Sequence, residues 1–440
     1  MEMVEQPEEN VSRAALLPED VLGDILARLA PRGLATARAV CREWRAAVDG
    51  RRLLRADLLP LSLDGIFVNF FGHPFPEYFA RPSSSTVSGA MDHLPVDGKV
   101  RILGHCNGLL LADNYDLYVV NPATRWWARL PPPPPRAAPE VLDLRHYLVF
   151  DPTMSPHYEV LSISDLHATP TEPEKAEWPP STCVSCVFSS QTSRWEERLL
   201  IREEGAIAAM SDIRTTEESY AYWKGALYIH CNTDFILRLS LSENKYSAIK
   251  RPNSVGAKKS GFGFYLGKSE KGVYLAFLDH CNIFAPSSLF WVWMLNESHG
   301  RMEWCLKHHC DLTDALYQNW HQRTNGPWVL QDVNYNVYRD TFPNHNKETP
   351  MEENYEWDSD NDNFVATDST PENHGCLSIL GFHPFKEIVF FAGSNWRGLA
   401  YHLKSSKVQD LGNLYPTEYE YFAGIAQDLE LPYPYTPCWM

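Results

Sequence analysis

Between Leu16 and Val48 the apolar positions recur at helical spacing. Val21, Leu22, Ile25, Leu26 and Leu29 fall three and four apart and form one stripe. Ahead of them Leu17-Pro18-Glu19-Asp20 reads as a helix start, with the proline where no intrahelical N–H is needed and the acids at the positive end. Ala30-Pro31-Arg32-Gly33 predicts a break. A second stripe follows through Leu34, Ala37, Val40, Cys41, Trp44 and Val48. Modules below roughly 40 residues usually need a staple or a partner. This one contains no metal or disulfide pattern, so its stripes are expected to bury against another protein.

From Leu58 onward the helical period gives way to short β-rich runs. Phe67 to Phe71 is the first, and Val100 to Leu111, Asp116 to Trp127 and Leu130-Pro131 follow, with Asn107-Gly108 and Asn121-Pro122 at the reversals. Similar units recur from Tyr147 to Leu161, Cys186 to Leu199, Gly225 to Tyr246, Gly272 to Leu306 and Ile388 to Leu403. Units of roughly 40–50 residues fit propeller blades, about six to eight of them, with a β-sandwich as the competing arrangement. The expected fold class is therefore α+β multidomain: a small all-α module over residues 15–57, then an all-β, propeller-like domain over 58–440. Residues 1–14 are expected to be disordered, as is the acidic stretch 346–373. Pro131 to Pro135 favours polyproline II, and Ala168 to Thr182 reads as a polar, proline-rich loop.

Composition narrows the setting. The chain has 440 residues, 44% of them hydrophobic and 12% aromatic, which fits a folded protein. The longest apolar run, Leu289 to Leu295, is far short of the roughly 18 residues a membrane span needs. The acidic start MEMVEQPEEN predicts no secretory signal, and ten scattered cysteines read as reduced thiols, so a cytosolic or nuclear location is expected. A net charge of −17 argues against broad nucleic-acid binding. From Arg28 to Arg55, however, eight arginines face two acids, a local balance of +6. That suits an acidic protein partner, or else a solvated arginine face.

The helical stretch resembles an F-box. The carriers are Leu17-Pro18, Ile25-Leu26 with Leu29, and Val40-Cys41-Arg42-Glu43-Trp44-Arg45. The middle segment Arg32-Gly33-Leu34-Ala35-Thr36 departs from the common Ser-Leu or Asp-Leu step but keeps the apolar position. An ordinary amphipathic hairpin is the plain alternative. Downstream, Cys106-Asn107-Gly108-Leu109-Leu110 and Asn121-Pro122-Ala123-Thr124-Arg125 resemble the plant F-box-associated signature. These resemblances imply the substrate-recognition subunit of an SCF-type cullin–RING ubiquitin ligase. Leu17, Pro18, Val21, Ile25, Leu29, Leu34, Val40, Cys41 and Trp44 would bind an acidic Skp-type adaptor, with Trp44 as the large anchor. The β domain would hold an unknown target.

Other chemistry is weak. Cys183-Val-Ser-Cys186 has no second pair, and His309-Cys310 beside Cys305 and His308 would point to opposite faces of a strand, so no metal is expected. His-Cys-Asn at 105–107, 230–232 and 280–282 lies on consecutive residues and reads as architecture, not a nucleophile with its base. Gly261 to Gly267 lacks the GxGxxG spacing, and no catalytic or cofactor motif is present. Trp126, Trp127, Trp195, Trp291, Trp293 and Trp304 are expected mostly in the core, whereas Trp223, Trp320, Trp328 and Trp396 are candidate loop anchors for a protein ligand. The rival functions are a non-degradative interaction scaffold and a propeller enzyme or lectin.

Overall fold

A computed structural model describes residues 18–29, 31–51, 53, 62–82, 87–96, 98–134, 144–163, 177–205, 208–209, 219–230, 235–252, 263–279, 288–298, 301–312, 326–338, 377–393, 396–420 and 429–439. Leu17, Trp320, residues 1–14 and the acidic stretch 346–373 lie outside them. Three helices come first: α1 (Glu19–Leu26), α2 (Pro31–Val40) and α3 (Arg42–Gly50). The break falls before Pro31, which opens α2 as its first residue, where a missing N–H costs nothing. The second stripe is two helices, parted at Cys41, whose backbone is extended (φ −158°, ψ 173°).

The rest is strand. β1 (Gly65–Phe70) and β2 (Glu77–Ala80) precede a first meander, β3 (Arg101–Cys106), β4 (Leu109–Asn114), β5 (Asp116–Asn121) and β6 (Trp126–Arg129). Next come β7 (Arg145–Phe150), β8 (Tyr158–Ile163), β9 (Glu177–Trp178), β10 (Thr182–Ser189), β11 (Arg194–Arg202) and β12 (Ala208–Ala209). Two further meanders follow. One is β13 (Tyr220–Trp223), β14 (Ala226–His230), β15 (Phe235–Ser240) and β16 (Lys245–Lys250); the other is β17 (Phe264–Ser269), β18 (Gly272–Asp279), β19 (Leu289–Ser298) and β20 (Arg301–Asp311). β21 (Val329–Leu330) and the short helix α4 (Val333–Tyr338) lead to β22 (Ser378–Phe382), β23 (Ile388–Ala392), β24 (Arg397–His402), β25 (Lys407–Asn413) and β26 (Leu429–Tyr435).

These strands make six four-stranded blades among the described residues. Blade 1 is β26-β1-β2-β21, blade 2 is β3 to β6, and blade 3 is β7-β8-β10-β11. Blades 4, 5 and 6 are β13 to β16, β17 to β20 and β22 to β25. The innermost strands β3, β7, β13, β17, β22 and β26 touch in that order and close a ring. β9 and β12 form a separate ribbon, and a parallel pairing of Ile201 with Lys245 joins the outer strands of blades 3 and 4. The runs at Tyr147 and Cys186, two units by sequence, are thus one blade. The architecture is α+β, with a small all-α part followed by an all-β, propeller-like part.

Six apolar cores fill the gaps between neighbouring blades. In β14, Leu227 and Ile229 face blade 3 while Ala226 and Tyr228 face blade 5. A strand buried on both faces shows no alternation, which is why the blades appear in the sequence as continuous apolar runs. Trp328, a candidate loop anchor by sequence, is 1% exposed and packs on Phe79 between blades 6 and 1. Conversely Trp126 and Trp127, expected inside, are 43% and 37% exposed because β6 is an outer edge strand.

Burial also sets how stability depends on pH. Desolvation lowers His105 and His146 from 6.5 to about 4. Between those values the unfolded chain binds a proton that the folded chain refuses, so stability falls as pH drops from 6.5 towards 4. His73, also lowered to about 4, acts in the same sense. Glu77, raised by burial to about 7, keeps its proton longer when folded and opposes it over nearly the same window. With that neighbouring pair offset, His105 and His146 leave a loss of about 2 kcal/mol each by pH 5. Urea midpoints are expected to be lower at pH 5 than at pH 7; equal midpoints would contradict this.

Candidate functional site: an open helical face and a plugged axis

The three helices close a core of their own from Leu22, Leu26, Leu34, Ala37, Ala47 and Val48, with Trp44 and Leu53 packed against it. The sequence expectation that both stripes await a partner is therefore corrected. Three helices supply the second and third walls that one amphipathic stripe lacks. What remains open is Val21 (44% exposed), Ile25 (47%), Leu29 (39%) and Val40 (61%). Val21, Ile25 and Leu29 are four apart, one row beside the inward Leu22 and Leu26.

The other expected adaptor contacts are distributed around that row. Pro18 is exposed at the start of α1, Cys41 is half-buried ahead of α3, and Leu34 is 5% exposed inside the module. Trp44 is half-buried, its indole Nε1 shielded and without a hydrogen-bond partner among the described residues. Arginines also divide. Arg38 grips Asp49 at 2.7 Å and Arg51 holds Asp20 and Asp24 at 2.8 and 2.9 Å, whereas Arg28, Arg42 and Arg45 stay exposed. Surface pairs of that kind are each worth only about 1 kcal/mol or less.

On the β domain, the axis is plugged rather than open. His105, Tyr220, Tyr265, Phe382 and Tyr433 come from inner strands, His105 lies against Tyr433 at 5.7 Å, and Tyr265 against Phe382 at 6.0 Å. Small residues make room for them: a Cβ on Gly104 would sit 2.3 Å from the Tyr220 hydroxyl. The last residues of β3, β22 and β26 gather at one mouth, which has a void of about 40 Å³, room for a group of a few atoms. The first residues of β3 and β7 border a cleft of about 530 Å³ at the other end, where Tyr115 is fully exposed at φ +59°. The chain arriving from the helices joins at the first mouth, because Asp64 N donates to Tyr435 O at 3.0 Å.

The two sequence signatures of blade 2 turn out to be fasteners. Cys106 Sγ and Asn107 Nδ2 both donate to Phe150 O, at 3.2 and 2.6 Å, tying blade 2 to blade 3. Asn121 Nδ2 donates to Cys438 O at 2.9 Å, and Ala123 N to the Tyr435 hydroxyl at 3.1 Å, fixing the tail after β26. On β20, His308 and Cys310 share a face and contact the Tyr401 hydroxyl at 2.8 and 3.2 Å, while His309 stacks on Trp291 at 4.9 Å on the other. Among the described residues no group of three or more His, Cys, Asp or Glu is placed to hold a metal ion. No described helix is long and apolar enough to cross a membrane.

Comparison with known proteins bears mainly on the helical module. Residues 14–57 match the family model described as F-box-like. A curated Arabidopsis thaliana protein, "Putative F-box protein At3g16210", is 26% identical over 245 residues, which are 54% of this chain and 61% of that protein. The chain thus spans about three-fifths of that relative's length. Solved structures similar to it include AztD from Citrobacter koseri, with TM-score 0.34 and 10% identity over 80% of this chain and 86% of that one. Another is a hypothetical selenium-binding protein from Sulfolobus tokodaii, with TM-score 0.35 and 9% identity over 79% of this chain and 73% of that one. Likenesses at that level carry no weight for fold or function. The family match and the curated relative together support an F-box protein, with an F-box-like domain at the N-terminus ahead of the β blades.

Proposed function

We propose that the chain is the target-recognition subunit of an SCF-type cullin–RING ubiquitin ligase. The observation that carries this reading is the open row Val21, Ile25 and Leu29, beside Val40, on a module whose own core is already complete. A folded surface that leaves four large aliphatic side chains in water is a docking face. Pro18 and Cys41 border the contact with a Skp-type adaptor, and exposed Arg28, Arg42 and Arg45 suit its acidic surface. Leu17 extends the contact from the N-terminal side. Leu34 sets the helix spacing from within, and Trp44 offers its unpaired indole N–H at the margin.

The β blades hold the target. They contribute proximity, raising the effective concentration of target lysines near a charged conjugating enzyme, with no covalent chemistry on their own side chains. Reconstitution with adaptor, cullin and RING subunits tests this. The expected result is a stable complex in which this chain is retained only when the adaptor is present. Retention without the adaptor, or none with it, contradicts the reading. A non-degradative scaffold would bind the adaptor equally and is separated by target half-life on depletion, which is expected to lengthen.

A further inference from the structure

At the mouth formed by the last residues of β3, β22 and β26, one side chain crosses the axis. Lys268 of blade 5 reaches Asn107 of blade 2, the blade opposite in the ring, and its Nζ donates to Asn107 Oδ1. An ammonium has three donors. Asn107 supplies one acceptor, and its own amide N–H is committed to Phe150 O. The acid whose charge is felt there, Asp151, accepts at Oδ1 from Thr153 N at 3.0 Å and Thr153 Oγ1 at 2.6 Å. Among the described residues Lys268 therefore has no carboxylate partner at ion-pair distance. Burial lowers its pKa, the response of a cation short of countercharge.

Beside this ammonium lies the void of about 40 Å³, bordered by Tyr222, Pro384 and Thr436 and floored by the rings of Tyr265 and Phe382. The floor stops anything larger than a tip from entering. The wider cleft between blades 2 and 3 is lined by two arginines, Arg101, which pairs with Glu430 at 3.0 Å, and Arg145. We propose that Lys268 is the anchor for one carboxylate of the target protein, an acidic side chain or a chain terminus, inserted at the axial mouth. This rests on the receptor reading above and names what its target must present. Two ammonium hydrogens not used by Asn107 meet the two carboxylate oxygens at contact range, where pairing outweighs the long-range repulsion of a chain whose net charge is −17.

The test uses the full chain and small probes. N-acetylglutamate α-amide carries the side-chain acid, N-acetylglycine the terminal acid, and N-acetylglutamine amide is the uncharged isostere. Each is titrated while the lysine ε-CH₂ NMR cross-peak that Lys268→Met removes is followed. An acid is expected to shift and saturate that peak at a concentration about tenfold or more below the amide; whichever acid does so more readily identifies the source. Lys268→Arg is expected to keep acid-induced thermal stabilisation and Lys268→Met to lose it. Equal response to acid and amide in the unmodified protein, or unchanged acid binding by folded Lys268→Met, overturns the proposal. Adaptor capture is read separately on the same samples, so failure of the receptor reading is seen independently.

Discussion

Aspartate at both Ile25 and Leu29 is expected to abolish capture of a Skp-type adaptor while the β blades melt unchanged. The two side chains are 47% and 39% exposed, so the substitution costs the free protein little. In the complex each loses about 1.5–3 kcal/mol of burial and places an unpaired charge in a dry contact. Together these weaken binding by at least about 100-fold. Leu26→Ala makes the contrast. Leu26 is fully buried in the module's own core, and its truncation costs about 2–5 kcal/mol of folding stability. That variant loses helical signal as well as adaptor binding, whereas the double aspartate keeps the helical signal. Unchanged capture by the double aspartate would move the adaptor contact to another face.

Gly108→Ala is expected to weaken closure of the ring. Gly108 sits at φ +88°, and a Cβ there would lie 2.4 Å from Cys438 Cβ and 2.6 Å from Thr436 O. β26, the innermost strand of blade 1, arrives from the far end of the chain, and the residues after it are clipped to blade 2 by Asn121. Alanine must therefore displace the clip as well as accept a left-handed backbone. Gly225→Ala is the control, because φ is +81° there and a Cβ meets nothing within 4 Å. It is expected to cost about 1–2 kcal/mol from backbone strain alone. Gly108→Ala is expected to cost about 2 kcal/mol more as tail hydrogen bonds are lost. Equal urea midpoints for the two variants would show that the tail does not lock the ring.

Much of this was readable from the residues. The i, i+4 period of Val21, Ile25 and Leu29 marks a helix, and Asn107-Gly108 with Asn121-Pro122 marks the turns of blade 2. Periodicity could not divide the first stripe, because Val21 and Leu22 are neighbours in one arc and only the packing of α2 and α3 decides which turns inward. Blade 1 was equally hidden. Its four strands come from residues 65–80, 329–330 and 429–435, and no local pattern connects stretches so far apart. Lys268 lies one residue beyond the glycine-bearing run Gly261 to Gly267, and its partner Asn107 is 161 positions away across the axis. Signatures such as Cys106-Asn107-Gly108 pointed to the right residues while leaving open that they fasten blades together.

The most direct measurement is a binding titration of the purified full chain against a purified Skp-type adaptor. Saturable one-to-one binding that is lost in the Ile25/Leu29 double aspartate is the predicted result. A chain with intact helical signal and an intact β melting transition that binds no adaptor would contradict the account, leaving the blades as a binding unit of another kind.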